Sequence, residues 1–115
     1  MLGVATVEEC RAALDRLAAH LAANAEEIRE KVKFDRTIVC RVTDLQVAFR
    51  GRLVDGELVD VAESDDPDAK IALSAASDDL IAMVDGKLDF VKALAARRVS
   101  VSANPFDLLK LRKLL

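Results

Sequence analysis

Tryptophan and tyrosine are absent, and four phenylalanines supply the only benzene rings among the 115 residues. Hydrophobic residues nevertheless make up 52% of the chain. A core must therefore be built from leucine, valine, isoleucine and alanine, with Phe34, Phe49, Phe90 and Phe106 as its large pieces. Four glycines leave no room for a Gly-rich phosphate loop, and no GxSxG motif occurs. The single histidine, His20, has no second imidazole, cysteine pair or Glu-x-x-His to join, so no transition-metal site can be assembled. The two cysteines, Cys10 and Cys40, show no CxxC spacing and fall on apolar positions, as reduced thiols in a core would. No pair of carboxylates lies in a context that implies shared burial, as acid–base catalysis needs. These absences argue against an enzyme and call for no cofactor and no metal.

Charge narrows the field further. Charged residues are 32% of the chain, yet the net charge is −3. Nucleic-acid binding needs a basic field to displace counterions, and Arg97-Arg98 and Lys110/Arg112/Lys113 are small clusters with no interleaved rings. No apolar run approaches the roughly 20 residues that span a bilayer, so stable membrane insertion is not expected. Met1-Leu2-Gly3 does not open a secretory leader. The expectation is a cytoplasmic protein with one domain over residues 1–115 and a single core.

What is present is a clear change of hydrophobic period. Thr6-Val7-Glu8-Glu9 forms a capping box. Val7, Cys10, Leu14, Leu17 and Leu21 then recur in steps of three and four, which puts them on one helix face. The pattern resumes at Ile28 and Val32, with a break at Asn24 and an end before Phe34. From Arg36 the period becomes two. Ile38, Cys40 and Val42 mark one strand. Leu45, Val47, Phe49, Gly51 and Leu53 mark a second, with Arg50 and Arg52 on its other face. Asp55-Gly56 signals a two-residue hairpin into a third strand, Glu57–Val61. The acidic run Glu63–Asp68 lacks the ligand spacing of a calcium loop and reads as a solvated turn. Lys70–Ala75 is a fourth strand.

The remaining stretch, Asp78–Leu115, predicts two short helices, a strand and a closing helix. Ser77 and Asp89 are the expected caps, and Gly86 suits the position past the first helix. Val99, Val101 and Ala103 alternate with serines, and Asn104-Pro105 starts the last helix. That helix has two apolar sides. Leu108, Leu111 and Leu115 share one face, while Phe106 and Leu109 point roughly 100–160° away from it. The second side must meet a ligand, another subunit or an overlying N-terminal helix.

The run Asp79–Ala93, DLIAMVDGKLDFVKA, resembles the central signature of the sterol carrier protein-2 (SCP2) sterol-binding domain, in its stand-alone, bacterial form. An acidic-apolar helix leads to Gly86-Lys87-Leu88 with Ala93 five residues on, and Lys70–Ser74 matches the preceding strand. The resemblance implies an α/β (α+β) fold. A five-stranded sheet is covered on one face by an N-terminal helix, two short central helices and a C-terminal helix. It implies an apolar tunnel for a sterol, fatty acid or fatty acyl-CoA, and hence a lipid carrier. By matched position the tunnel draws on Ile81, Val84, Leu88, Phe90 and Leu94, with Phe106, Leu109 and Leu111 of the closing helix. The chain departs from the family in having Ala96-Arg97-Arg98 and Ala103-Asn104-Pro105 where glycines flank the last strand. Its end, Arg112-Lys113-Leu114-Leu115, is not a Ser-Lys-Leu address. A second reading stays open: an interaction module of the same fold with a filled core, forming a homodimer or docking on an enzyme through its C-terminal helix.

Overall fold

The computed structural model describes residues 5–27 and 35–114, the side chains of residues 111–114 excepted. The expected helical continuation through Ile28 and Val32, its end before Phe34, and Phe34 itself lie outside the described residues. Among the described residues these elements follow one another, with a further helical stretch at 25–27: α1 (Val7–Ala23), β1 (Asp35–Val42), β2 (Val47–Val54), β3 (Glu57–Glu63), β4 (Ile71–Ala75), α2 (Ser77–Val84), α3 (Phe90–Ala95), β5 (Val99–Ser102) and α4 (Pro105–Leu114).

The local signals act as their chemistry requires. The Thr6 hydroxyl accepts from the Glu9 N–H at 3.1 Å while the Glu9 carboxylate accepts from the Thr6 N–H at 3.1 Å. Asn24 closes α1, its side-chain amide donating to the His20 carbonyl at 2.9 Å. Asp55 and Gly56 both take positive φ, 50° and 82°, which turns β2 into β3 in two residues. Gln46 is also left-handed, at φ 53°, so the turn after β1 holds Leu45 and β2 begins at Val47. Past α2, Gly86 at φ 74° lets the Lys87 N–H reach the Ala82 carbonyl at 2.8 Å. α3 ends in the same way without glycine. Arg97 takes φ 61°, and the Arg98 N–H donates to the Ala93 carbonyl at 2.9 Å. An arginine in that conformation costs about 1 kcal/mol relative to glycine, so the departure noted at Ala96-Arg97-Arg98 is a strained version of the same turn.

The five strands form one sheet in the order β3-β2-β1-β4-β5. β1 and β4 pair in parallel, with Cys40 opposite Leu73, and every other pair is antiparallel. The period-2 pattern sends Cys40, Val42, Phe49, Leu53, Ile71, Leu73, Ala75 and Val99 to one face. There they join Cys10, Leu14 and Leu21 of α1, Leu80 of α2, and Phe90 and Ala93 of α3 in a single apolar cluster. Arg50, Arg52, Ser100 and Ser102 are exposed. Arg52 pairs with Asp35 at 3.0 Å, and Arg41 pairs with Asp65 of the acidic turn at 3.0 Å. That guanidinium holds the Asp65 carboxyl below its ordinary value. Within the turn, the Asp68 N–H donates to the Asp66 carboxylate at 3.0 Å, so these acids bind their own backbone.

α4 has the two apolar sides that its sequence implies, and only one of them is covered. Leu108 packs against the core, but α1 does not cover the other side of the helix. Phe106 is 76% exposed and Leu109 55%. Asp107, between them, is only 2% exposed and receives Nε–H of Arg36 at 3.1 Å.

Candidate ligand-binding cavity

Between the helical layer and the sheet lies an apolar cavity of about 70 Å³. Leu14, Leu17 and Leu21 of α1 and Leu80, Met83 and Val84 of α2 form its helical side. Ile38, Cys40, Phe49, Leu53, Leu58, Val61 and Leu73 form its sheet side. Arg50 also borders it, but strand alternation turns that side chain to the opposite face, so only its backbone meets the cavity. The geometry has a local cause at Gly51. A bulge shifts the β2–β3 register between Arg50 and Arg52, with Asp60 at φ 57°. A Cβ at Gly51 would come within 3.0 Å of Leu58 Cδ1 and 3.3 Å of the Val59 carbonyl oxygen. Glycine in the apolar phase of β2 therefore lets β3 fold close over the cavity and leaves a gap where a side chain would stand.

The chemistry of the wall is inert. Burial pushes the Cys40 thiol up to about 12, with nearby Cys10 adding to the shift. Cys10 is raised by burial first and then by the carboxylates of Asp44, Glu9 and Asp78. Both cysteines are free and act as small apolar residues. Among the described residues no cluster of His, Cys, Asp or Glu could hold a metal ion.

One polar contact fixes the cavity roof. The sequence suggests Ser77 as the cap of α2, but the helix already includes Ser77, and the cap residue Ala76 offers no side-chain acceptor. Asp44, in the turn after β1, supplies it instead. Its carboxylate accepts the Ser77 N–H at 2.8 Å and the Ser77 hydroxyl at 2.6 Å. The Ser77 hydroxyl bond, more than the backbone bonds, draws the Asp44 pKa below its ordinary 3.8. Because the folded value is depressed, the unfolded chain binds the proton more readily. The contribution is fully present above the ordinary 3.8 and is lost as pH falls from there through the lower folded value. Asp44→Ala is expected to cost about 1–2 kcal/mol at neutral pH. Urea unfolding at pH 7 and pH 3 checks this, with the difference between variant and parent shrinking at the lower pH.

The sequence matches the family described as the SCP-2 sterol transfer family over residues 11–115. The chain belongs to this family. No curated protein sequence matches it. The SCP2 fold is confirmed by solved structures. The sterol carrier protein domain 2 of Helicoverpa armigera superposes with a TM-score of 0.76 at 16% identity, covering 97% of this chain and 91% of that one. Sterol Carrier Protein-2 from Aedes aegypti, solved with the C16 fatty acid palmitate, gives 0.63 at 23% identity over 86% of this chain and 90% of that one. The stereoselective inverting sec-alkylsulfatase Pisa1 from Pseudomonas sp. contains a similar unit, with a TM-score of 0.58 at 20% identity. That match covers 88% of this chain and 14% of the sulfatase, so the SCP2 chain spans a small part of that relative.

The eight positions implied by the family signature separate into distinct surroundings. Val84 lines the cavity. Ile81, Leu88 and Leu94 are partly buried against the core, and Phe90 is buried within it. Phe106 and Leu109 stand on the surface, and the side chain of Leu111 lies outside the described part. The α1 leucines and the Phe49-Gly51-Leu53 series, which sequence reasoning assigned only to core packing, make up much of the wall. The signal that could have found them is Gly51, a residue without a side chain in a core-facing phase.

Proposed function

We propose that this domain acts as a non-catalytic lipid carrier that holds a fatty acid, sterol or fatty acyl-CoA between sheet and helices. The observation that carries this reading is an apolar cavity with no side-chain charge in its wall, in a member of the SCP2 family. The palmitate complex of the Aedes aegypti relative supports it. A cavity of about 70 Å³ is well under the roughly 300 Å³ of ordinary ligand sites, so an acyl chain must widen it. Ile81, Leu88, Phe90 and Leu94 form the shell into which it would widen, beside Val84. Phe106, Leu109 and Leu111 would join the wall where α4 closes over the bound lipid. The force is burial of the chain, about 25 cal/mol per Å² of apolar surface, which leaves a C16–C18 tail near micromolar affinity after ordering costs. The mechanism needs no cofactor and no reacting residue. Free thiols suit a reducing compartment, and we place the carrier in the cytoplasm. Among the described residues, no helix is long and apolar enough to cross a membrane.

A specific observation favours a second reading. Phe106 and Leu109, 76% and 55% exposed, offer an apolar face that suits a homodimer or an enzyme surface. Native mass spectrometry of the purified protein separates the two. A monomer carrying co-purified lipid, with saturable binding of a fluorescent fatty acid in solution, is the expected result. A bare dimer that binds no probe would overturn the carrier and establish the module.

A further inference from the structure

A surface groove of about 460 Å³ runs between the C-terminal half of α1 and the end of α2. Its rim carries Arg16, His20, Asp85 and Gly86, and its floor is Leu17, Met83 and Val84. The same three floor residues line the buried cavity, so one layer of side chains separates the groove from it. All three are partly buried. Leu17 and Met83 are flexible and unbranched at Cβ, able to rotate aside without moving backbone. The tie across the groove is ionic. The Arg16 guanidinium of α1 donates to the Asp85 carboxylate at 3.0 Å, bridging 69 positions of sequence. Asp85 is itself set by the turn at Gly86. Leu14 and Leu17 of α1 and Leu80 and Met83 of α2 belong to the same apolar core and cavity lining, where packing is not directional and permits sliding.

Resting on the carrier reading, we propose that this groove is the mouth of the cavity and that the Arg16–Asp85 pair is its latch. A lipid tail enters between α1 and α2, displacing Leu17 and Met83, each time the pair parts. Both partners are substantially exposed, at 52% and 34%, so the latch is weak and opens often.

Cys40 makes the opening visible without any lipid, because it lines the cavity and is buried when the mouth is shut. With Cys10→Ala as background, Cys40 is the one thiol, and its modification by a small apolar methanethiosulfonate reports access. Arg16→Ala and Asp85→Ala are each expected to raise that rate, and the association rate of a fluorescent C16 fatty acid, about two- to fivefold, the range that a half-exposed ion pair permits. The exchanged double variant Arg16→Asp/Asp85→Arg is expected to restore both rates. Added salt should accelerate the parent but not the single variants. Arg11→Ala, which breaks the Arg11–Asp15 pair on α1 away from the groove, serves as the control and should change neither rate. Thermal melting confirms that every variant is folded at the labelling temperature. Unchanged Cys40 labelling in both single variants, or equal acceleration by Arg11→Ala, overturns the latch whether or not lipid binds. Faster labelling with no fatty-acid association in any variant upholds the latch and overturns the carrier reading instead.

Discussion

Truncating Leu21 to alanine is expected to lower stability by about 3 kcal/mol and to enlarge the response to a fatty acid. Leu21 is 1% exposed, lies in the last turn of α1 and lines the cavity. Removing its isobutyl group forfeits the transfer energy of those carbons and leaves a void that a sheet on one side and a helix on the other only partly collapse. At roughly 4 °C of melting temperature per kcal/mol, the loss amounts to about 12 °C. The same void adds room to a cavity that is otherwise too small for an acyl chain. A ligand at a hundred times its dissociation constant returns about 2.7 kcal/mol to the folded state. Less of that binding energy is consumed in widening the site of Leu21→Ala. Thermal melts with and without a C16 fatty acid therefore give a larger shift for the variant than for the parent. If the fatty acid moves neither melt, the core is filled and the module reading stands.

The parts of this fold legible in the sequence are those whose cause is local. Thr6 with Glu9, Asp55-Gly56, Asp89 and Asn104-Pro105 each name their own structure because the partners lie within four residues. The switch of period at Arg36 separates helix from strand for the same reason. Contacts made at long range were hidden. The parallel pairing of β1 with β4 leaves no trace in either strand's pattern. The cap of α2 comes from Asp44, 33 positions earlier, so proximity in sequence pointed to Ser77. The candidate site was half legible. The signature Gly86-Lys87-Leu88 led to the family and to Val84, but not to α1, whose leucines look alike whether they face packed side chains or a cavity. Nor does a helical wheel say which apolar side of α4 is covered. That is decided by Asp107, an acid that reads as an ordinary first-turn residue and proves to be buried.

The buried acid leads to the second large effect. Arg36→Ala is expected to cost about 3 kcal/mol, and Asp107→Ala only about 1–2 kcal/mol, although the two delete the same ion pair. The asymmetry follows from solvent access. Asp107 has a side-chain exposure of 3% against 38% for Arg36. Without Arg36, a carboxylate stays at a depth where water cannot replace the guanidinium. Without Asp107, the half-exposed guanidinium still donates to the Asp35 carbonyl at 2.8 Å and is reached by water. Arg36→Met combined with Asp107→Leu should recover most of the loss, since neither partner is then left charged and unpaired. Urea unfolding of the four proteins measures all three differences. The pair also sets which side of α4 faces outward. Asp107 is anchored to β1 while Asn104 holds its N–H at 2.8 Å, and Phe106 and Leu109 are turned to solvent as a consequence. Should Arg36→Ala and Asp107→Ala cost the same, below 1 kcal/mol, the ion pair would not pin α4, and the helix would be free to roll about its axis. Its second apolar side could then reach a bound lipid without any energetic obstacle. The expected asymmetry instead describes a helix pinned with that side outward, so that closing it over a ligand requires breaking the Arg36–Asp107 pair first.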